Sequence, residues 1–328
     1  MKKHLLSLFK GNVQSSISLK RVSAIVPNYN YSQYLQKRLQ SINDQTHPLH
    51  EIIVIDDAST DNSVEVINRF LAATPGVHRL VINDHNSGSV FKQWLQGVTL
   101  AQGEYVWICE ADDSADLTFV ESVIRAFDDP LVVLSYSQSR QIDEADCLIA
   151  KDYLEYTKDI DRHKWRKDYI CEGHNELMGA LAIKNTIPNV SAAIFRKEPL
   201  LEVLQRYERE LVHLQTAGDW LAYCEVLRKG RISFTSRVLN SHRWHRNTVR
   251  LRTSHARSMA EILYMQNRTS GTCPLNNSVR EKARKYAQMA YEYLELHSSD
   301  APDPLRHQEV CRLLDEISTT MKMSEVYE

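Results

Sequence analysis

Between Val22 and Gln138 the chain alternates short apolar runs with stretches of helical period, and few folds accept that alternation. The apolar runs are VSAIVP (22–27), EIIVIDD (51–57), HRLVIND (78–84), EYVWICE (104–110) and LVVLSYSQ (131–138). A strand buried on both faces reads as a continuous apolar run rather than an alternating one. Between the runs, Tyr31, Tyr34, Leu35, Leu39 and Ile42 recur at helical spacing, as do Val90, Trp94, Leu95 and Val98. The pattern predicts helices over 31–45, 59–73, 88–103 and 116–129, the second capped by Ser59, Thr60 or Asp61 and the third stopped by Gly103. Strand, helix, strand in succession means parallel strands joined by right-handed crossovers. Residues 21–138 therefore read as a Rossmann-like α/β unit.

The remainder is less regular. Residues 139–180 read as a long connection or acceptor-side loop region. IPNVSAAIFRK (187–197) holds a strand containing Val190 and Ile194. KEPLLEVLQRYER and GDWLAYCEVLRKG (218–230) read as helices, and RISFTSRVL (231–239) as a strand. The tail is helical, with Ala283, Tyr286, Ala287, Ala290 and Leu294 on one period and Val310, Leu313, Leu314 and Ile317 on another. The division expected is a leader over 1–20, a main domain over 21–250, split into halves at 138, and a helical extension over 251–328. Leu5, Leu6, Leu8 and Phe9 with Lys2, Lys3 and Lys10 allow an interfacial membrane contact, but a disordered leader is the preferred reading. No run approaches the ~20 apolar residues that span a bilayer. The net charge of −2 creates no field drawing the chain to nucleic acid. The six cysteines form no C-x-x-C pair, which favours scattered reduced thiols over a disulfide framework.

In an open parallel sheet, ligands bind beyond the carboxyl ends of the strands. Here those ends carry Pro27-Asn28-Tyr29-Asn30, Asp56-Asp57, Asn83 to Gly88, and Glu110-Ala111-Asp112-Asp113. Loops are polar in any protein, yet four amide- or carboxylate-rich ends on one edge favour a site. The first βα turn, PNYNYS, has no G-x-G-x-x-G, and the chain has no G-x-x-x-x-G-K-[ST], so neither a dinucleotide fingerprint nor a P-loop is present. The crowding of Glu110, Asp112, Asp113 and Asp116 costs repulsion that a cation would remove. Hard Mg²⁺ or Mn²⁺ needs only one or two protein carboxylates when phosphates supply the other ligands. For Asp116, helix capping is the preferred reading.

The stretches VSAIVPNYNYSQYL, EIIVIDDASTDNS and NSGSVFKQWLQGVTLAQGEYVWICEADD together resemble the family 2 glycosyltransferases of GT-A fold, and IPNVSAAIF, AGDWLAY and HRWHRNT continue the resemblance more weakly. It implies a GT-A sheet with a C-terminal helical extension. It also implies an inverting transfer of sugar from a nucleotide-sugar donor to a glycan or glycolipid, with Mn²⁺ or Mg²⁺ as cofactor. Pro27 and Tyr29 match the positions that hold the nucleotide base, and Asp57 the carboxylate that bonds it, with Asp56 structural. Glu110-Ala111-Asp112 matches the acid-x-acid motif, with Glu110 where Asp is usual and Asp112 as metal ligand. Asp219 in AGDW matches the general base, and Gly218 replaces the first acid of the usual pair. Arg243, His245 and Thr248 match an R-x-H-x-x-[ST] pattern, making His245 a contact to metal or diphosphate.

Bland readings stand beside these. Asp219 also suits a helix cap, Lys92 is as much a solvated lysine as a phosphate contact, and His242 is as much a lone histidine as a contact to metal or diphosphate. Met178 and Trp220 suit the core better than a sugar-binding wall. A nucleotidyltransferase or phosphohydrolase would want a basic Gly-rich first loop, which PNYNYS is not. A non-catalytic nucleotide-sugar or carbohydrate-binding scaffold is the alternative. The setting expected is cytoplasmic, at most peripheral to the inner membrane face, in bacterial surface polysaccharide synthesis. Donor base, acceptor and oligomeric state are left open by the sequence.

Overall fold

A computed structural model describes residues 19–245, 253–271, 275–296 and 305–326. The leader (1–18) and the stretch holding Arg246 and Thr248 lie outside the described residues. The first strands are β1 (Val22–Asn28), β2 (Glu51–Asp56), β3 (His78–Ile82) and β4 (Tyr105–Ile108). They pair in parallel in the order β3-β2-β1-β4. Crossovers run through α1 (Ser32–Asn43), α2 (Ser63–Ala73) and α3 (Val90–Leu100). β1 and β2 are buried along their whole length, which is why they read as unbroken apolar runs.

The helices divide by face. Leu35 and Leu39 of α1 and Ile67 and Phe70 of α2 pack on Val22, Ala24 and Val26 of β1. Trp94 and Val98 of α3 pack on Ile25 from the opposite side. The 116–129 region is shorter in helix than its sequence predicts. It is α4 (Phe119–Ile124) followed by a 3-10 turn over Arg125–Asp128.

The fifth apolar run is a longer strand than its sequence predicts, β6 (Val132–Ile142), and it does not lie beside β4. Between them runs β9 (Ala193–Arg196), antiparallel to both. Val190, expected in that strand, sits in a 3-10 turn over Val190–Ala192 just before it. β10 (Arg231–Arg243) runs parallel to β6, and the two-residue β5 (Ser114–Ala115) closes that edge antiparallel to β10. The 139–180 region is not one long loop. It holds the end of β6 and β7 (Leu148–Ala150), then α5 (Leu154–Thr157), β8 (Tyr169–Glu172) and α6 (Gly173–Met178). The sheet is thus mostly parallel, with short antiparallel strands filling its second half.

Helices α7 (Lys197–Arg206), α8 (Glu208–His213) and α9 (Gly218–Leu227) cover the α3 face. The tail forms α10 (His255–Gly271), α11 (Asn277–Leu296) and α12 (Leu305–Val326). Met259, Ala260 and Met265 of α10 and Val310 and Ile317 of α12 belong to the same apolar cluster as Leu221 and Val226 of α9. Among the described residues no helix is long and apolar enough to cross a membrane. None of the described cysteines forms a disulfide; Cys109 and Cys224 are buried as expected, whereas Cys147 and Cys311 are exposed.

Candidate active site

Backbone in the left-handed region gathers at one edge of the sheet. Asn30 (φ 61°), Ala58 (φ 61°) and Gly88 (φ 73°) lie just beyond the carboxyl ends of β1, β2 and β3. For Ala58 this conformation costs about 1 kcal/mol, and such strain concentrates at functional loops.

The first two loops are tied together. Asn28 donates through Nδ2 to Asp56 Oδ2 at 2.7 Å, and Asn30 Oδ1 accepts from the N–H groups of Thr60 and Asp61. Asp56 also accepts from the Ser59 N–H and hydroxyl, so its role is to shape the turn. Asp57, almost fully buried, accepts from Asn83 Nδ2 at 2.6 Å and from the N–H and hydroxyl of Ser87, each at 2.9 Å. A carboxylate has about four acceptor positions, so Asp57 retains capacity for one more donor. Pro27 is buried in β1 opposite Ile55, whereas the Tyr29 ring is 39 % exposed. Lys92 is exposed in the first turn of α3, with Nζ 3.3 Å from the carbonyl of Ser87, whose N–H bonds Asp57.

The acid loop leaves β4 as a turn in which the Asp113 N–H bonds the Glu110 carbonyl, with Ala111 buried beneath. Distant segments lock it. Ser191 Oγ accepts from the Glu110 N–H, and Trp94 Nε1 donates to Glu110 Oε1 at 3.3 Å. Asp113 is pinned by the Arg243 N–H at 2.9 Å and by Asn189 Nδ2, itself bonded to Asn240. Arg243 also donates to the Asp112 carbonyl and pairs with Asp146, its guanidinium stacked 4.7 Å from the Tyr34 ring. That leaves the Asp112 carboxylate facing His245, with Oδ2 2.9 Å from Nε2. The His245 ring packs against Tyr31 and Tyr34, which joins the first loop to the acid loop. His242 is engaged by the Tyr153 hydroxyl at 2.5 Å, and Asp116 caps toward Thr118.

Charge accumulates here. Burial, followed by the nearness of Asp112 and Asp113, pushes the Glu110 carboxyl up to about 8. Burial and Asp112 likewise raise Asp113. The counter-charge comes from α1. Arg38 is fully buried, lies 5.1 Å over the Trp107 ring, and acts electrostatically on both acids, although its guanidinium nitrogens have no hydrogen-bond partner. Sequence reasoning missed Arg38, although a charge on the Tyr34–Ile42 stripe was the signal for it. It also missed the locking roles of Asn189, Ser191 and Arg243, which sequence spacing does not carry.

The Asp112–His245 spacing suits a cation. Two cis ligands of an octahedral ion at about 2.1 Å lie about 3.0 Å apart. Among the described residues no group of three His, Cys, Asp or Glu side chains forms a self-sufficient metal site.

Asp219 lies in the first turn of α9 and is partly exposed. Its Oδ2 accepts from Asn185 Nδ2 at 3.0 Å and its Oδ1 from the Trp220 N–H at 2.7 Å. Burial of the carboxyl outweighs those bonds and pushes it up to about 6. Gly218 precedes it because a Cβ there would lie 2.3 Å from the Phe91 ring. Trp220 is core, donating to the Leu181 carbonyl. One turn along α9, Tyr223 is wholly buried and within electrostatic reach of both Asp219 and Glu110.

The model of the family described as "Glycosyl transferase family 2" matches residues 23–185. The putative teichuronic acid biosynthesis glycosyltransferase TuaG of Bacillus subtilis (strain 168) is 30% identical over 92 residues, covering 28% of this chain and 36% of that protein. Among solved structures, S. aureus TarS 1-349 in complex with UDP-GlcNAc superposes with a TM-score of 0.61 at 16% identity, over 92% of this chain and 81% of that one. Mannosyltransferase PcManGT from Pyrobaculum calidifontis, in complex with GDP-Man and Mn²⁺, superposes with a TM-score of 0.54 at 17% identity, over 94% of this chain and 76% of that one. The fold is therefore GT-A. The chain spans about a third of the length of several curated relatives it matches.

Proposed function

From a chain that belongs to the family 2 glycosyltransferases through its residues 23–185, we propose a metal-dependent, inverting transfer of sugar from a nucleotide-sugar donor to a glycan or glycolipid acceptor. The observation that carries the reading is the Asp112 carboxylate facing His245 across 2.9 Å, on the edge where Tyr29 and Asp57 also end. Tyr29 offers an exposed ring to the nucleotide base, above Pro27, and Asp57 its remaining acceptor position. Glu110 and Asp112 line the diphosphate, the buried Ala111 supporting the turn between them, with Asp112 and His245 as ligands of Mn²⁺ or Mg²⁺ and Lys92 a further phosphate contact. A cation bound there would supply Lewis-acid stabilisation of the charge growing on the departing diphosphate. Asp219 takes the proton of the acceptor hydroxyl as its oxygen attacks the anomeric carbon opposite the leaving group, so configuration inverts. A carboxylate raised to about 6 is a stronger base than an ordinary aspartate and still ionised at neutral pH.

The relative named for teichuronic acid biosynthesis favours a bacterial surface polysaccharide as the acceptor class. The same reading sets the reaction in the cytoplasm, with peripheral contact at the inner membrane face. The test is release of nucleoside diphosphate from a panel containing UDP-GlcNAc, UDP-glucose and GDP-mannose with Mn²⁺. Turnover of one donor that is lost in Asp112→Ala and Asp219→Ala is the expected result. Donor binding with no turnover under any acceptor would contradict the reading and favour a non-catalytic scaffold.

A further inference from the structure

The tail helix α10 reaches into the loop that delivers the candidate base. Glu261 on α10 is wholly buried. Its Oε1 accepts from the Gln215 N–H at 2.9 Å and from Arg257 Nε at 2.7 Å. Its Oε2 accepts from the Thr216 N–H at 2.8 Å, the Thr216 hydroxyl at 2.9 Å and the Ala217 N–H at 3.1 Å. About four acceptor positions are thus fully used. Ala217 is the N-cap of α9 and provides no side-chain cap of its own. The opening N–H groups of a helix need partners from elsewhere, and an anion there also meets the positive end of the helix dipole. Here a carboxylate on another helix accepts the N-cap N–H of Ala217 and the two N–H groups before it, setting its charge at the start of α9, and Asp219 lies two residues beyond the last N–H that it holds.

We propose that Glu261 is a positioning residue for sugar transfer, fixing loop 215–217 so that Asp219 meets the acceptor hydroxyl. The proposal rests on the reading of Asp219 as base. A burial this complete is costly for a carboxylate unless it is satisfied on every side, and here the satisfaction is directed at one loop. The charge of Glu261 also acts on Asp219, raising its affinity for a proton. The other groups within electrostatic reach of this pair include Asn185, Tyr223 and Cys224 around Asp219, and Arg257 and the His213 ring beside Glu261. Arg257 in turn meets the His213 carbonyl and Glu316 of α12.

The test is Glu261→Gln in the full chain, which removes the charge at nearly constant volume. Two quantities are read: the titration of Asp219 by ¹³C NMR of aspartate-labelled protein, assigned by its loss in Asp219→Asn, and turnover of UDP-GlcNAc with Mn²⁺. The Asp219 midpoint should move to lower pH, because an anion has left its surroundings. The kcat should fall about tenfold or more, as misplacement of a catalytic group requires, with donor KM unchanged. An unmoved midpoint, or a wild-type kcat, overturns the proposal. Wild-type turnover in Asp219→Asn overturns the base reading instead, and is told apart because it leaves the midpoint shift in Glu261→Gln intact. Should Glu261→Gln not fold, Thr216→Val deletes one bond to Oε2. A fall in kcat without a change in KM is then expected, and an unchanged kcat overturns the proposal.

Discussion

If Asp219 is the base, activity must follow its ionisation. Its carboxyl is pushed up to about 6 by burial, the bonds from Trp220 and Asn185 opposing that rise and the Glu261 charge adding to it. A base titrating at about 6 is about nine-tenths ionised at pH 7 and about one-tenth ionised at pH 5, whereas an ordinary aspartate is still almost wholly ionised at pH 5. Between those two values kcat/KM should therefore fall about tenfold, a drop that an unperturbed aspartate would not give. Asn185→Ala sharpens the test. Asn185 Nδ2 donates to the ionised carboxylate, which favours the charged form. Removing it must raise the affinity for the proton and move the acid limb to higher pH. The assay is nucleoside diphosphate release from about pH 4.5 to 8 at fixed Mn²⁺, with circular dichroism at each pH to exclude unfolding. A profile flat down to pH 5, or an Asn185→Ala limb displaced to lower pH, would refute the reasoning.

Two smaller predictions concern stability. Gly218→Ala places a methyl 2.3 Å from the Phe91 ring. Overpacking of this kind costs about 1–3 kcal/mol, seen as a lower Tm by differential scanning calorimetry, and Phe91→Leu in the same chain should recover part of the loss. Tyr223→Phe deletes a buried hydroxyl with no hydrogen-bond partner. It should leave Tm unchanged or raise it, since no bond is lost and a desolvated polar group is removed.

Three of the parallel strands were legible because burial on both faces leaves an apolar run, Ala24–Val26 in β1, Ile52–Ile55 in β2 and Tyr105–Ile108 in β4, whereas β3 is only partly buried and showed through Leu80, Val81 and Ile82. Leu35, Leu39 and Ile42 likewise marked α1 because one face of it meets the sheet. β9 was harder. Four residues paired antiparallel between β4 and β6 owe their place to partners far along the chain, and the turn at Val190 precedes them where periodicity suggested more strand. β8, half exposed along its length, gave no apolar run to read. The candidate site divides the same way. Asp57, Asp112 and the turn at Asn28–Asn30 are local to strand ends, and position in the repeat pointed to them. The side chains that hold them come from elsewhere: Asn189 and Arg243 close on Asp113, and Glu261 closes on loop 215–217. No spacing in the sequence connects those partners. Gly218 fits against Phe91, where a Cβ would lie 2.3 Å from the ring, a constraint its place in the sequence did not show.

The central claim is that Asp112 and His245 grip a divalent ion together with a diphosphate. The direct measurement is Mn²⁺ titration followed by loss of its free electron paramagnetic resonance signal, with UDP present, on the native chain and on folded Asp112→Asn. The account predicts one bound Mn²⁺ per native chain and an affinity about tenfold or more weaker in Asp112→Asn, since a charged ligand has been replaced by a neutral one. An equal affinity in the two proteins would contradict it.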